Sequence, residues 1–334
     1  MLYCRPRLPA AAFAAVVLTA TFAGGRQAIA FDCAKAKSPS EKAICADPAA
    51  RAADEAMTKA FEAFRAGADP ATRAKILESQ VRWLSTRDGD CSDKSGAELS
   101  ACLARESDDR RRYLTGAPAT GPGAPDPIAP FLRVEKGGKG RADVDMELLK
   151  FVKPANGAER AFNAGVDKFM EDITEPDDPK TDTYAFATSM SLEYASTRLV
   201  SARAQGYADA GGAHPNSYIA HVNIDLSLGR ELKFADLADG AGAEKIIALC
   251  YDQVKAAKKD RLGDDAPMTA DDLKDLAKTV KESTADLSGW GFGADEATVD
   301  YNPYSVGAYV EGFYDCKLPY ERLRPLIKSS FPLP

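Results

Sequence analysis

Histidine is nearly missing from this 334-residue chain, which holds only His214 and His221, and tryptophan is equally scarce. With two histidines, no C-x-x-C and no H-x-x-x-H, a zinc site has no ligand set, so neither metal nor cofactor is expected. No Ser or Cys stands in a nucleophile elbow or a cysteine-protease context, which leaves covalent hydrolysis without a recognisable nucleophile. After residue 30 no apolar run approaches the roughly 20 residues that a membrane-spanning helix needs. Positive charge is also in deficit, with a formal net charge of −7. The shortfall is local: residues 31–115 hold 15 basic against 15 acidic residues, whereas 116–334 hold 25 against 35. An acidic surface disfavours nucleic acid and anionic membrane and steers a basic macromolecule toward itself; ordinary solubility is the plainer explanation.

The first 30 residues read as a secretory signal. Arg5 and Arg7 precede an uncharged apolar stretch from about Ala10 to Ala23, and the small-residue site Ala28-Ile29-Ala30 follows. A membrane anchor is the alternative, but the apolar stretch is short for it. Cleavage would remove Cys4 and leave Cys33, Cys45, Cys91, Cys102, Cys250 and Cys316, an even number that suits three disulfides in a periplasmic or secreted protein. Four cysteines in the first part allow three pairings. Short separations favour Cys33 with Cys45 and Cys91 with Cys102, leaving Cys250 with Cys316. Between Tyr113 and Phe131 the chain reads LTGAPATGPGAPDPIAP, a Pro/Gly/Ala run expected to act as an extended spacer over 116–130. It separates a domain of residues 31–115 from one of residues 131–334, each long enough to fold alone.

The first domain reads as a disulfide-stapled helical bundle. Ala52, Ala56, Ala60, Phe61 and Phe64 recur at helical spacing between Pro48 and Gly67. A second helix starts near Pro70, with Ile76, Leu77, Val81, Trp83 and Leu84 as its expected buried face, and a third runs from about Glu98 to Leu114. Ser38 and Glu41 have the spacing of a capping box. The second domain reads as α+β with an antiparallel sheet. Tyr184, Phe186, Thr188, Met190, Leu192 and Tyr194 alternate with small or polar residues, and 217–226 alternates likewise after the glycine-rich turn at 208–216 that joins it to a strand over 197–207. Helices are expected over about 159–173, 242–258 and 270–282.

The runs FDCAKAKSPSEKAIC, QVRWLSTRDGDC and ACLARESDDRRRYL, with four cysteines, Trp83 and Arg87, resemble the LprI-type domain, named for a lysozyme inhibitor, across residues 31–115. GGAHPNSYIAHVNIDLSLGRELKFADL and VDYNPYSVGAYVEGFYDCKLPYERLRPLI are similar to the C-terminal, lysozyme-sensing domain of RsiV-type anti-sigma factors. That domain also accompanies some polysaccharide deacetylases. The chain has no cytoplasmic anti-sigma segment and no deacetylase domain, so intramembrane signalling is not implied.

Both resemblances imply an exported, non-enzymatic protein that binds a lysozyme-type muramidase and inhibits it by occluding the cleft. The residues singled out for partner contact are His214, in a Gly-Gly-Ala-His-Pro-Asn turn, and Tyr301, Asn302 and Tyr304, in a tyrosine-rich stretch that continues through Tyr309, Phe313 and Tyr314. Core packing is the competing explanation for the rings, and a hydrogen-bonded structural role competes for both histidines. The alternative function is a peptidoglycan-binding module in which the tyrosines stack on sugars. An envelope hydrolase using His214 or a carboxylate pair ranks behind it, since nothing singles out a pair.

Overall fold

The computed structural model describes residues 32–334 apart from 139, 172, 175, 177–183 and 264–267. The signal sequence and Cys4 lie outside the described residues.

Four helices come first: α1 (Pro39–Ala46), α2 (Pro48–Ala66), α3 (Pro70–Asp90) and α4 (Gly96–Thr115). Their starts are written locally. Ser38 Oγ accepts from the Glu41 amide at 3.1 Å while Glu41 Oε2 accepts from the Ser38 amide at 2.8 Å, the expected capping box. Asp47 and Asp69 cap α2 and α3, each followed by a proline whose missing N–H costs nothing at the first helical position. Disulfides Cys33–Cys45 and Cys91–Cys102 close short loops here. The second lies among buried Ile44 and Leu103, a core too small to hold the bundle unaided.

Of the expected buried face of α3, Ile76 is buried and Trp83 half-buried, but the rest is not. Leu77, Val81 and Leu84 of α3 are 44, 59 and 36% exposed, while Ile76, Ser79, Gln80 and Arg87 are buried. The helix turns a largely polar stripe inward because its neighbours offer ionic and hydrogen-bonding partners there, and its aliphatic stripe faces outward.

A six-stranded sheet follows, in the order β1 (Ile128–Glu135), β2 (Asp143–Phe151), β3 (Ala185–Ala195), β4 (Leu199–Asp209), β5 (Asn216–Asp225) and β6 (Arg230–Glu231). All pairings are antiparallel except β2 with β3, which are parallel and joined through α5 (Gly157–Asp167), as a parallel pair requires. The β4–β5 hairpin over the glycine-rich turn matches expectation. Residues 119–123 lie along the end of β3, where Ala119 and Thr120 N–H donate to the carbonyls of Leu192 and Glu193 at 2.7 and 3.1 Å.

The remaining chain forms α6 (Phe234–Leu237), α7 (Gly240–Leu262), α8 (Ala270–Thr284), a three-stranded antiparallel sheet of β7 (Trp290–Phe292), β8 (Glu296–Tyr301) and β9 (Tyr314–Pro319), and α9 (Tyr320–Leu323). Two large cores result. In one, Phe162 and Val166 of α5 meet Met146, Phe186, Met190 and Val222, and the cluster extends to Met57, Tyr113 and Leu114 of the helices. In the other, Ile246, Val254 and Val280 pack on Trp290, Phe292 and Val299 around the Cys250–Cys316 disulfide. The two sheets are joined through polar atoms: the Phe292 amide donates to Ser201 Oγ at 3.1 Å, and Asn223 Nδ2 donates to the carbonyls of Leu287 and Trp290. Among the described residues no helix is long and apolar enough to cross a membrane.

Candidate functional site

β8 alternates Ala297, Val299 and Tyr301 into the second core, and the chain then leaves the sheet. Tyr301 is therefore fully buried; its hydroxyl lies 2.7 Å from Thr284 Oγ1, and burial pushes its pKa up to about 12 despite that hydrogen bond. Asn302 clamps the free edge of β5: its Oδ1 accepts from the Ile219 amide at 2.7 Å and its Nδ2 donates to the Ile219 carbonyl at 3.0 Å. Both residues position the loop that follows them.

That loop opens with Asn302-Pro303-Tyr304-Ser305, closed by Ser305 N–H donating to the Asn302 carbonyl at 3.0 Å. Proline at the second position suits the turn, but the third position takes φ 70° and is occupied by Tyr304 where glycine is favoured. No other non-glycine residue among the described ones has positive φ. Such a conformation costs of order 1 kcal/mol or more and holds the ring 62% exposed. A few residues on, Val310 is 91% exposed.

His214, from the β4–β5 turn, meets this loop. Its ring stacks on Tyr309 with centroids 3.9 Å apart, and the Tyr309 hydroxyl donates to the Pro215 carbonyl at 2.7 Å. Nδ1 lies 3.1 Å from the Pro215 carbonyl, which can only accept, so Nδ1 carries the proton and Nε2 accepts from the Tyr304 hydroxyl at 2.9 Å. The imidazole is thus committed to positioning Tyr304. The loop's far end is anchored by Glu311, whose carboxylate accepts from Lys258 Nζ at 2.5 Å, the Tyr314 hydroxyl at 2.6 Å and the Ala308 amide at 2.7 Å. Burial pushes the Glu311 carboxyl up, but these hydrogen bonds outweigh it and hold it below its ordinary value. Three of the four expected contact residues, His214, Asn302 and Tyr304, come together here, joined by Tyr309 and followed in the chain by Val310, which no sequence pattern marks. Of these, Tyr309 carried a signal, as a further ring in the same run.

His221 is elsewhere, at the joint between the sheets. Its Nε2 is 2.8 Å from Asp300 Oδ2 and its Nδ1 is 3.7 Å from Glu193 Oε2, with the side chain 1% exposed. Burial raises the Glu193 carboxyl, partly opposed by His221. The buried ring ties β5 to β8 through its hydrogen bond to Asp300.

Beneath α3 and α4 lies a second polar cluster. Arg87 pairs with Asp54 at 3.1 Å and Arg110 with Glu147 at 2.7 Å, and both guanidinium groups lie over the Trp83 ring, 5.1 and 5.5 Å from its centroid. Burial raises the Asp54 carboxyl, and Arg87 offsets this only in part. Trp83 and Arg87, distinctive in the sequence, thus belong to the packing of the helices on one another. No group of three or more candidate ligands able to hold a metal occurs among the described residues.

Comparison with known proteins divides along the same lines. Residues 33–114 match the family described as "Lysozyme inhibitor LprI", and residues 236–321 match "Protein of unknown function (DUF3298)". No curated protein matches the chain. Similar solved structures include a DUF3298-family protein from Bacteroides fragilis, 18% identical, covering 60% of this chain and 93% of its own, with a TM-score of 0.42. Another, from Pseudomonas aeruginosa, is also 18% identical, covering 61% and 95%, with a TM-score of 0.39. The chain therefore carries an LprI domain at residues 33–114 and a DUF3298 segment at residues 236–321.

Proposed function

We propose that this is an exported, non-enzymatic protein that binds a lysozyme-type muramidase and inhibits it by inserting the 302–313 loop into the substrate cleft. The observation that carries the reading is Tyr304: a large ring held out to solvent on a strained turn, braced by His214 and Asn302, with Val310 exposed beside it in the chain. Strain of this kind persists where surrounding structure over-determines it, and a rigid tyrosine gives contact area at small entropic cost. The LprI domain supports the partner, through what its family description says of that family. The excess of acidic residues after residue 115 supports attraction of a basic enzyme. Three disulfides suit an oxidising, extracytoplasmic compartment, periplasmic or secreted. In this reading residues 31–115 and 131–334 are two modules joined by 116–130, and the second presents the loop.

The test is residual activity of a c-type lysozyme on cell walls against rising concentrations of residues 31–334. Saturable inhibition is expected, and Tyr304→Ala should raise the concentration for half-inhibition about thirtyfold, the effect of a hot-spot contact of about 2 kcal/mol. Unchanged activity in excess folded protein refutes the function. Inhibition that Tyr304→Ala leaves intact refutes the loop as its agent.

A further inference from the structure

The outward side of α3 is a stripe that no other part of the chain covers. Ala74, Leu77, Val81, Leu84 and Asp88 follow one another at steps of three, four, three and four residues, the seam spacing of a two-stranded coiled coil. Ala74 is exposed, as are Leu77, Val81 and Leu84, while the opposite side of the helix, through Ile76, Ser79, Gln80 and Arg87, is buried against the rest of the protein. Single exposed aliphatics are ordinary. Here three of the ten large hydrophobic side chains exposed among the described residues fall on this one stripe, which makes it a patch.

Opposite charges stand at its two ends. Arg73, at the start, is exposed; its guanidinium donates to the Ala66 carbonyl at 3.2 Å and pairs with no carboxylate among the described residues. Asp88, at the end, has its side chain 41% exposed and meets Arg87 through Oδ1 alone, at 3.0 Å, which leaves Oδ2 open. A base near the start and an acid near the end run against the helix dipole, so a lone helix gains nothing from that order.

The same order is complementary to itself. The midpoint between Arg73 and Asp88 falls between Gln80 and Val81, and the midpoint between Leu77 and Leu84 falls at the same place. A second α3 laid antiparallel about that point sets Arg73 opposite Asp88 and Leu77 opposite Leu84, each pair twice over, with Val81 beside Val81 at the centre. A parallel pairing would set Arg73 against Arg73 and Asp88 against Asp88.

We propose that α3 is a homodimer interface, in which two copies of the chain meet through antiparallel α3 helices about a two-fold axis near Val81. The contact is isologous, so it closes at two copies. One helix face is small against the roughly 800 Å² per partner of a standard interface, so the dimer forms at micromolar rather than nanomolar concentration. It uses no residue of the 302–313 loop and needs no muramidase.

Sedimentation equilibrium of residues 31–334 between about 5 and 500 µM tests it, and a monomer–dimer equilibrium is expected. Val81→Lys, at an exposed position, should weaken association at least tenfold and leave the melting temperature of the dilute protein unchanged. Arg73→Glu and Asp88→Lys should each weaken it as well, because each sets like charges together twice. Mixed in equal amounts, these two variants should associate with one another, since both end contacts then join opposite charges. Leu77→Cys and Leu84→Cys leave the contact of Asp88 with Arg87 in place and read the register independently: under mild oxidation each chain should cross-link to the other and neither to itself. The proposal is overturned if the native chain stays monomeric throughout, whether or not the stripe then takes up phosphatidylglycerol vesicles or a muramidase. It is overturned equally if the folded charge variants stay monomeric when mixed, or if the cysteine chains link only to themselves. Tyr304→Ala should leave the dimer as it is; loss of association there would move the interface to the loop and refute the assignment to α3.

Discussion

Replacing Arg110 with alanine should loosen the helices from the sheet, and the size of the effect can be worked from its contacts. Its guanidinium donates to Glu147 Oε2 at 2.7 Å, Ser79 Oγ at 2.8 Å and Gln80 Oε1 at 3.0 Å, and lies 5.1 Å from the Tyr113 ring centroid. Ser79 in turn donates to Glu147 Oε1, so one guanidinium satisfies a closed set of groups. The side chains of the pair are 3 and 14% exposed, too little for solvent to screen them. Arg110→Ala leaves the Glu147 carboxylate buried without its cation and the Gln80 carbonyl unmet, at a cost of about 3–5 kcal/mol. Most of that is the penalty of the stranded charge. Adding Glu147→Gln should therefore recover a large part, so the double variant is far more stable than the sum of the single losses predicts. Urea unfolding followed by tryptophan fluorescence reads this directly, because the chain has two tryptophans and Trp290→Phe leaves Trp83, inside the network, as the reporter. A loss below about 1 kcal/mol for Arg110→Ala, or strict additivity with Glu147→Gln, refutes the account.

Gly206→Ala should destabilise although alanine is normally the better strand residue. The added Cβ would sit 2.1 Å from Tyr218 Cζ, and moving that ring breaks its hydroxyl contact with Thr188; a stability loss of about 1–3 kcal/mol is expected, seen as a lowered melting temperature, and a neutral result sinks the packing argument. Glu193→Gln should change the pH dependence of unfolding. Burial raises the folded carboxyl above its reference of 4.5, so the native protein keeps the full stability of that bound proton below pH 4.5 and loses it as pH rises through the folded pKa. The glutamine variant lacks this slope and should gain on the native protein from about pH 4.5 upward; parallel stability curves would contradict it.

What the sequence made legible was local, and what it hid was a matter of which surfaces meet. Ser38 with Glu41, Asp47 before Pro48 and Asp69 before Pro70 announce helix starts within four residues, and the structure begins its helices there. Cys33–Cys45 and Cys91–Cys102 pair as their short separations suggested, because a short loop is the easiest to close, and Cys250–Cys316 follows by elimination. The inward face of α3 departs from its apolar periodicity because that periodicity identifies the buried stripe only when the neighbour is apolar too. Here α4 and β2 bring Arg110 and Glu147, distant in sequence, and the helix buries Ser79 and Gln80 against them, while Arg87 pairs with Asp54 of α2. Tyr301 and Tyr304 show the same limit at closer range. They stand three residues apart in one aromatic run, yet strand alternation carries the first into the core and Pro303 starts the turn that throws the second outward. That distinction was readable in principle, since Tyr301 continues the alternation of Ala297 and Val299 and a proline ends it. The polar floor of β3 and β4 was equally visible as alternation, with Ser189 and Ser191 between Thr188, Met190 and Leu192. Alternation states that one face is polar; it does not say whether water, another part of the chain or a ligand covers it. Here other parts of the chain cover both ends of that face: Arg110 of α4 meets Glu147 at one, and Phe292 and Asp300 of the second sheet meet Ser201 and His221 at the other.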